Sequence, residues 1–116
     1  MNRVLSIVVL ALIVCAFVSP VSAAEPKEWS FFVFLNADNN LDSFGVKDEK
    51  EMAAVGSNDK LNIVTLIDRE KGPAEIHYIE KGNIKKVKDM GEVDMGDYKL
   101  LVSWVKDMAA AYPAKY

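Results

Sequence analysis

Cysteine and histidine are nearly absent from this sequence of 116 residues, which contains one of each, Cys15 and His77. Cys15 lies in the apolar segment at the start of the chain, which we interpret as a leader that is removed. After that removal no cysteine is left, which excludes a disulfide, a thiolate metal ligand and a thiol nucleophile in the mature chain. A domain of about 90 residues without such links is marginal in size, so it either packs very well or is part of something larger.

The sequence also lacks an apolar run long enough to span a membrane. Val4–Val18 is apolar except for Ser6, and its length of about 15 residues falls short of the ~20 that a transmembrane helix needs. Arg3 precedes this run, Pro20 ends it, and Val21-Ser22-Ala23 places small residues before a cleavage point. The pattern predicts a secretory signal peptide over residues 1–23, in preference to a membrane anchor. The remaining chain is then expected to be secreted or periplasmic, with no membrane segment.

Positive charge is not in excess. The chain has 14 Lys and Arg residues against 17 Asp and Glu, a net charge of −3, and removal of Arg3 with the leader leaves −4. Proteins that bind the phosphate backbone of nucleic acids need the opposite balance, so we expect no nucleic-acid partner. The sequence shows no internal repeat and no low-complexity segment.

Two apolar stretches predict neighbouring strands. Trp29–Leu35 is apolar apart from Ser30, and Leu61–Ile67 is the second such run. Short continuous runs of this kind are typical of parallel strands that are covered on both faces. The polar segment Asn36–Asn40 then ends the first strand, because Asn and Asp hydrogen-bond their own backbone in turns.

A surface helix is predicted between these strands. Asp42 or Ser43 can cap its beginning, and Gly56 follows its end at Val55. Its middle, Lys47–Glu51, is wholly polar. We therefore expect the helix to lie on the surface and to be held at its ends.

The second half of the chain predicts a hairpin and a second helix. Ala74–Glu80 alternates in polarity, with Glu75, His77 and Ile79 on one side, and Lys81-Gly82-Asn83 turns it into an antiparallel return over residues 84–87. Asp97 caps the last helix, which Pro113 ends. Its apolar residues repeat at helical spacing: Leu100, Leu101, Trp104, Val105, Met108 and Tyr112.

This order of elements predicts an α/β fold with a mostly parallel sheet, a small antiparallel hairpin and flanking helices. A strongly apolar helix after a sheet normally crosses back to a further parallel strand, and no such strand follows here. We therefore expect residues 24–116 to be the incomplete N-terminal part of a larger domain.

Two motifs carry a resemblance to a known family. The first is Glu28–Leu41, in which Trp29 and an apolar run lead into Asn-Ala-Asp-Asn-Asn-Leu. The second is Gly91–Asp97, Gly-Glu-Val-Asp-Met-Gly-Asp, followed by a helix with Trp104 and by Tyr-Pro-Ala. In this order they resemble the clostripain family of secreted bacterial cysteine peptidases. The resemblance covers nearly all of residues 27–116 and implies part of a caspase-like sandwich.

The resemblance also implies an endopeptidase that cleaves peptide or protein substrates after Arg or Lys. We expect no cofactor, with calcium as the alternative, because some members of the family are calcium-dependent. In that family a histidine activates a cysteine, whose thiolate attacks the scissile carbonyl. The family histidine follows the Tyr-Pro-Ala helix in a Trp-x-His-Gly context, and the cysteine lies on a later strand. No residue of this chain matches either one, so we assign no catalytic residue here.

Three residues at the end of the first strand are candidates for the rim of a substrate pocket: Asn36, Asp38 and Asn39. Ligands of open α/β sheets bind at the carboxyl ends of the strands. Turn formation by the same side chains is the alternative, and we weigh the two equally.

A calcium site is a weaker candidate in the same region. Asp38, Asn40, Asp42 and Glu49 stand at the first, third, fifth and twelfth positions of a calcium-loop spacing. However, Ser43 occupies the position where such a loop needs glycine, and a strand rather than a helix precedes it. We therefore predict no metal site and keep calcium as the alternative.

Other conspicuous residues have structural interpretations. His77 lies outside the family histidine context and is interpreted as an ordinary strand histidine. Trp29 and Trp104 are expected in the core. Lys85, Lys86 and Lys88 are expected on a solvated edge strand, where lysine discourages pairing with other chains.

Two further hypotheses remain beside that of a peptidase fragment. The first is a complete, secreted, non-enzymatic domain that binds a partner or calcium. The second is a non-covalent light chain that needs a separately encoded catalytic subunit. The binding domain predicts cooperative folding of residues 24–116 alone.

Overall fold

The computed structural model describes residues 25–116, and the predicted signal peptide over residues 1–23 lies outside them. Six elements follow one another along the chain in the predicted order. They are β1 (Trp29–Ala37), α1 (Asp42–Val55), β2 (Leu61–Arg69), β3 (Ala74–Glu80), β4 (Asn83–Gly91) and α2 (Tyr98–Ala111). Each prediction of an element is confirmed, although β1, β2 and β4 extend a few residues further than expected.

The four strands form one mixed sheet in the order β1-β2-β3-β4. β1 and β2 are parallel and in register from Trp29↔Leu61 to Ala37↔Arg69, with α1 as the crossover between them. β3 pairs antiparallel with β2, and β4 pairs antiparallel with β3. The α/β class is thus confirmed, and in the described residues one parallel pair is joined by two antiparallel pairs.

The two helices cover opposite faces of the sheet. Val64 and Leu66 of β2 point to the face where α2 packs, and both are fully buried against Trp104 and Met108. Ile63, on the other face, packs with Ala53 of α1. Because strand side chains alternate between faces, β2 is buried on both sides and forms the centre of the fold.

Helix α2 begins as predicted. The side chain of Asp97 accepts a hydrogen bond from the backbone N–H of Lys99 and so caps the helix. Trp104 is buried, which confirms its predicted place in the core. Leu101 and Val105 of the apolar stripe are more than one-third exposed, so α2 buries a narrower face than the stripe predicts.

Helix α1 differs from its prediction in two respects. Leu41 rather than Asp42 or Ser43 is its N-cap, and no side chain caps it. Glu49, in the middle of the polar segment, is 3% exposed instead of lying in solvent. The helix is therefore fixed to the sheet in its middle as well as at its ends.

One face of β1 is open, which contradicts the expectation that the strand is covered on both faces. Trp29 is 47% exposed and Phe31 53%, so the prediction of Trp29 in the core is also wrong. An apolar groove of about 260 Å³ runs beside them, lined by Phe31, Val33, Met52, Val55, Leu61 and Ile63. The reason is that α1 crosses the sheet from the end of β1 towards β3 and leaves the beginning of β1 uncovered.

Strand β4 is the opposite edge of the sheet, and Lys85, Lys86 and Lys88 are exposed there as predicted. Within residues 25–116, neither helix is long and apolar enough to cross a membrane.

Candidate functional site

The carboxyl ends of β1 and β2 lie side by side, because the two strands are parallel and Asn36 pairs in register with Asp68. The chain leaves β1 through a tight turn that Asn39 builds. The Asn39 side chain donates to the Asn36 carbonyl at 3.0 Å and accepts from the Leu41 N–H at 2.8 Å. Asn39 therefore performs the predicted turn chemistry, whereas Asn36 and Asp38 remain exposed at the edge.

Asp68 joins this edge and was not among the predicted site residues. It is 4% exposed, and its burial raises the pKa of its carboxyl group, an effect that the nearby charges of Asp38 and Glu92 strengthen. These three carboxyl groups form an acidic corner at the end of the parallel strands. The signal was present in the sequence, since Asp68 directly follows the apolar run Leu61–Ile67, as Asn36 follows Trp29–Leu35.

The acidic corner favours a cationic or proton-donating group. Like charges that are close together and partly desolvated are stabilised by a positive partner. Among residues 25–116 there is no group of three or more His, Cys, Asp or Glu side chains arranged to hold a metal ion. A basic side chain or an N–H donor would supply such a partner.

The four calcium candidates do not meet at one point. Asp42 binds the guanidinium of Arg69 through both carboxylate oxygens, one of these contacts being 2.8 Å. Glu49 turns into the sheet, where it accepts from the hydroxyl of Thr65. Asp38 and Asn40 stay on the exposed loop. The helix separates these side chains, because α1 begins at Asp42, within the spacing that a calcium loop needs.

His77 is not the ordinary strand histidine that the sequence indicates. Its Nδ1 lies 2.9 Å from Glu49 and its Nε2 lies 2.9 Å from Glu75. The hydrogen bond with Glu49 contributes most to raising the pKa of the imidazole, against the opposing effect of burial. The imidazole lies on the α1 face of the sheet, between two carboxylates.

The edge of β1 opposite β2 is partly paired by the end of the chain. The Ser30 N–H donates to the Tyr116 carbonyl at 2.9 Å, and the Tyr116 N–H donates to the Glu28 carbonyl at 3.0 Å. Lys27 and Ala114 form a parallel bridge in the same segment. The residues that follow α2 therefore already run alongside β1 in the direction of a further parallel strand.

A network of polar side chains fixes this arrangement. The Asn62 amide donates to the Ser30 hydroxyl at 3.0 Å, and the Tyr78 hydroxyl donates to Asn62 at 3.0 Å. The Lys27 ammonium reaches the Tyr78 hydroxyl at 3.1 Å. β1, β2, β3 and the N-terminal lead-in are thus joined next to the pairing edge.

A parallel strand pair with a helical crossover and an antiparallel extension form an α/β domain, with polar residues at the carboxyl ends of the parallel strands. This arrangement is the one expected for part of a caspase-like sandwich. A family model described as the clostripain family matches residues 33–116. The chain belongs to the clostripain family of cysteine peptidases.

Solved structures show the same fold at low sequence identity. A B. fragilis cysteine protease is 18% identical over 76% of this chain and 80% of its own, with a TM-score of 0.64. A clostripain from Bacteroides thetaiotaomicron, solved with a peptide inhibitor, is 17% identical over 78% of this chain and 84% of its own, with a TM-score of 0.68.

A secreted C11 cysteine protease from Bacteroides thetaiotaomicron is 18% identical over 78% of this chain, with a TM-score of 0.63. This chain spans 28% of that protein. A search among curated proteins found no match.

Proposed function

We propose that residues 24–116 form the N-terminal part of a secreted clostripain-family endopeptidase that cleaves after Arg or Lys. In this proposal the catalytic histidine and cysteine come from a different part of the assembled enzyme. The family match supports the peptidase class. The observation that supports an N-terminal part of a larger sheet is the pairing edge of β1.

That edge can accept a further parallel strand. Alternate residues of a parallel strand direct their backbone groups to the same neighbour. The Trp29 N–H donates to the Lys60 carbonyl on the β2 side, whereas the Ser30 N–H donates to Tyr116 on the other side. The backbone groups of Phe32 and Phe34 therefore face the same edge as Ser30. A strand that pairs there would have its carboxyl end beside Asn36.

The acidic corner would then lie next to the reaction centre. In open α/β sheets, residues at the carboxyl ends of adjacent strands line one crevice. Asn36, Asp38 and Asn39 are proposed to form part of the rim of that crevice, with Asp68 at its base. A rim with negative charge suits a substrate that carries Arg or Lys.

The non-covalent light chain is supported by a separate observation. The B. fragilis protease aligns over 80% of its own chain and the first Bacteroides thetaiotaomicron clostripain over 84%. These chains are therefore close in length to this one, whereas the secreted C11 protease contains the same unit as about a quarter of a longer chain. A unit of this size occurs in both arrangements, so the catalytic residues would reside on the same polypeptide or on a second one.

Immunoprecipitation from the source culture tests the peptidase proposal. An antibody against the exposed outer face of α2 would recover the protein, and the precipitate would be assayed with Arg- and Lys-containing peptides, with and without a thiol-alkylating reagent. We expect cleavage that the alkylating reagent abolishes. A denaturing gel then separates the two arrangements, because a light chain migrates apart from its catalytic subunit.

The stand-alone binding domain makes the opposite prediction. If the recovered protein is a monomer of this chain with no thiol-dependent cleavage, the peptidase proposal is wrong. Cooperative unfolding of the monomer would then support an independent binding domain.

A further inference from the structure

A buried network on the α1 face of the sheet has no part in the proposed peptidase chemistry. It is centred on His77, whose two ring nitrogens each lie 2.9 Å from a carboxylate oxygen, one of Glu49 and one of Glu75. The side chains of His77 and Glu49 are only 12% and 4% exposed. Because both ring nitrogens face acceptors, all of these contacts are hydrogen bonds only when the imidazole carries two protons.

Polar groups from the neighbouring strands complete the network. Thr65 of β2 donates its hydroxyl to Glu49, and Lys86 of β4 binds Glu75 at 2.9 Å. Arg69, at the end of β2, adds a positive charge that interacts with both carboxylates. Glu49 comes from α1, so the network connects the helix with β2, β3 and β4.

Glu49 is the contact through which the middle of α1 reaches the sheet. Its neighbours in the sequence, Lys47, Asp48, Lys50 and Glu51, are all exposed. Such a polar helix gains little from apolar burial, and a buried carboxylate without a donor would be costly. The attachment of this part of α1 therefore depends on the donors that meet Glu49.

We propose that His77 is a proton-operated lock that holds the middle of α1 on the sheet. In the closed form the imidazolium donates to both carboxylates. When it releases one proton to solvent, one ring nitrogen keeps a lone pair that faces a carboxylate oxygen. The loss of that hydrogen bond and of the ring's positive charge favours an open form, in which water reaches Glu49.

The lock has a defined direction with pH. The Glu49 hydrogen bond raises the pKa of His77 above its ordinary value near 6.5, so the closed form binds the proton more tightly than the open form does. The stabilisation of the closed form is complete at a pH below the ordinary pKa of His77. It is lost as the pH rises through the raised pKa. On the acid side, Lys86 holds the pKa of Glu75 below its usual range, so protonation of this carboxylate costs stability only as the pH falls through that lowered value.

Opening of α1 would reach the predicted pocket rim. The helix follows the Asn36–Leu41 turn directly, and Asp42 at its beginning is tied to Arg69 at the end of β2. Movement of the helix centre would therefore also displace the short segment between the Asn39 turn and Glu49. This inference does not depend on the proposed peptidase activity, because it concerns contacts within this chain.

The titration of His77 provides the first test, and it is unambiguous because the protein has one histidine. The imidazole carbon-bound protons would be followed by NMR across a pH series. We expect a midpoint above about 6.5 and, in Glu49→Gln, a midpoint that moves down. Glu51→Gln, a change at an exposed position of the same helix, is the matched control and should leave the midpoint in place.

Hydrogen exchange provides the second test. Exchange of α1 amides would be compared with that of α2 amides at each pH, so that the intrinsic base catalysis cancels. We expect the protection of α1 relative to α2 to fall as the pH passes the His77 midpoint, and His77→Gln to remove this pH dependence. If His77→Gln fails to fold, Glu49→Gln serves the same purpose. A midpoint at or below 6.5, or parallel changes in both helices, would overturn the proposal.

Discussion

The hydroxyl of Ser30 donates a hydrogen bond to the backbone carbonyl of Tyr112, 2.7 Å away across 82 positions of the chain. The same hydroxyl accepts from the Asn62 amide. Ser30 belongs to the first family motif and Tyr112 to the second. This single side chain therefore connects the two motifs and fixes the end of α2 next to the pairing edge of β1.

Removal of this hydroxyl should destabilise the fold. In Ser30→Ala, the Tyr112 carbonyl and the Asn62 amide each lose a partner in a half-buried site, and we expect a loss of about 1–3 kcal/mol in the free energy of unfolding. Urea denaturation measures the loss. Ser103→Ala is the matched control, because the exposed Ser103 hydroxyl bonds within its own helix, and its change should stay within about 0.5 kcal/mol. Equal losses in both variants would contradict the assignment.

Gly56, the residue after α1, should not tolerate a side chain. Its φ is +71°, and a Cβ atom would lie 2.2 Å from the Lys81 nitrogen and 2.4 Å from the Lys81 Cα. The strain of the left-handed backbone and the clash with the Lys81 backbone together predict that Gly56→Ala lowers the free energy of unfolding by about 3 kcal/mol.

Gly72→Ala separates these two effects. Gly72 also has a positive φ, +97°, but a Cβ there would meet no atom within 4 Å. Gly72→Ala should introduce only the backbone strain, which lowers the free energy of unfolding by about 1–2 kcal/mol. Thermal or urea unfolding of both variants measures the difference. If Gly72→Ala is as destabilising as Gly56→Ala, the close approach of the hairpin to Gly56 is not the cause.

The Asp42–Arg69 pair should stabilise the protein in a pH-dependent way. The Arg69 hydrogen bond holds the pKa of Asp42 below its ordinary value of 3.8. The stabilisation by the Asp42–Arg69 pair is therefore fully present at a pH above the ordinary pKa of Asp42. It is lost as the pH falls through the lowered pKa of the folded protein. The urea midpoint of the wild type should exceed that of Asp42→Asn at neutral pH, and the difference should vanish in acid.

An exposed ion pair on the same helix is the control for that experiment. Lys47 and Glu51 are 3.5 Å apart, with side chains 68% and 64% exposed. Because exposed pairs contribute little, Glu51→Gln should leave the urea midpoint nearly unchanged at every pH. A larger effect for Glu51→Gln than for Asp42→Asn would show that long-range charge, and not the specific pair, governs the stability of α1.

Successive backbone amide protons of β1 should alternate between slow and fast hydrogen exchange. The N–H groups of Phe31 and Val33 face β2, and those of Phe32 and Phe34 face the pairing edge. In the isolated chain we expect slow exchange for the first pair and fast exchange for the second, by NMR or mass spectrometry. In the assembled peptidase all four should be slow. Equal protection in the isolated chain would mean that the edge is already covered.

The sequence predicted the elements well because their signals are local. Apolar runs, the Asp97 cap and the Gly82 turn each depend on a few adjacent residues, and all appear where they were expected. The two motifs likewise indicated the family, which the match over residues 33–116 confirms. The structure places Asn36 and Asp38 at the carboxyl end of β1, beside Asp68, which the sequence analysis did not single out. Their role as a pocket rim stays a prediction.

Contacts between distant segments could not be read in the same way. Glu49 sits in a segment with the pattern of a solvated helix face, and His77 sits in an alternating strand. Only the packing of α1 across β2 and β3 places the two side chains together in a buried site. Trp29 gave the opposite error, because an apolar side chain is buried only if some element covers it.

The sequence by itself thus determined the elements, their order and the family, because hydrophobic period, caps and turns act over a few residues. The tertiary structure decided which polar groups are buried, which apolar face is open, and that Ser30 meets Tyr112. These depend on how the elements cross the sheet, and the free energies of burial and of paired charges are set by that arrangement and not by local sequence.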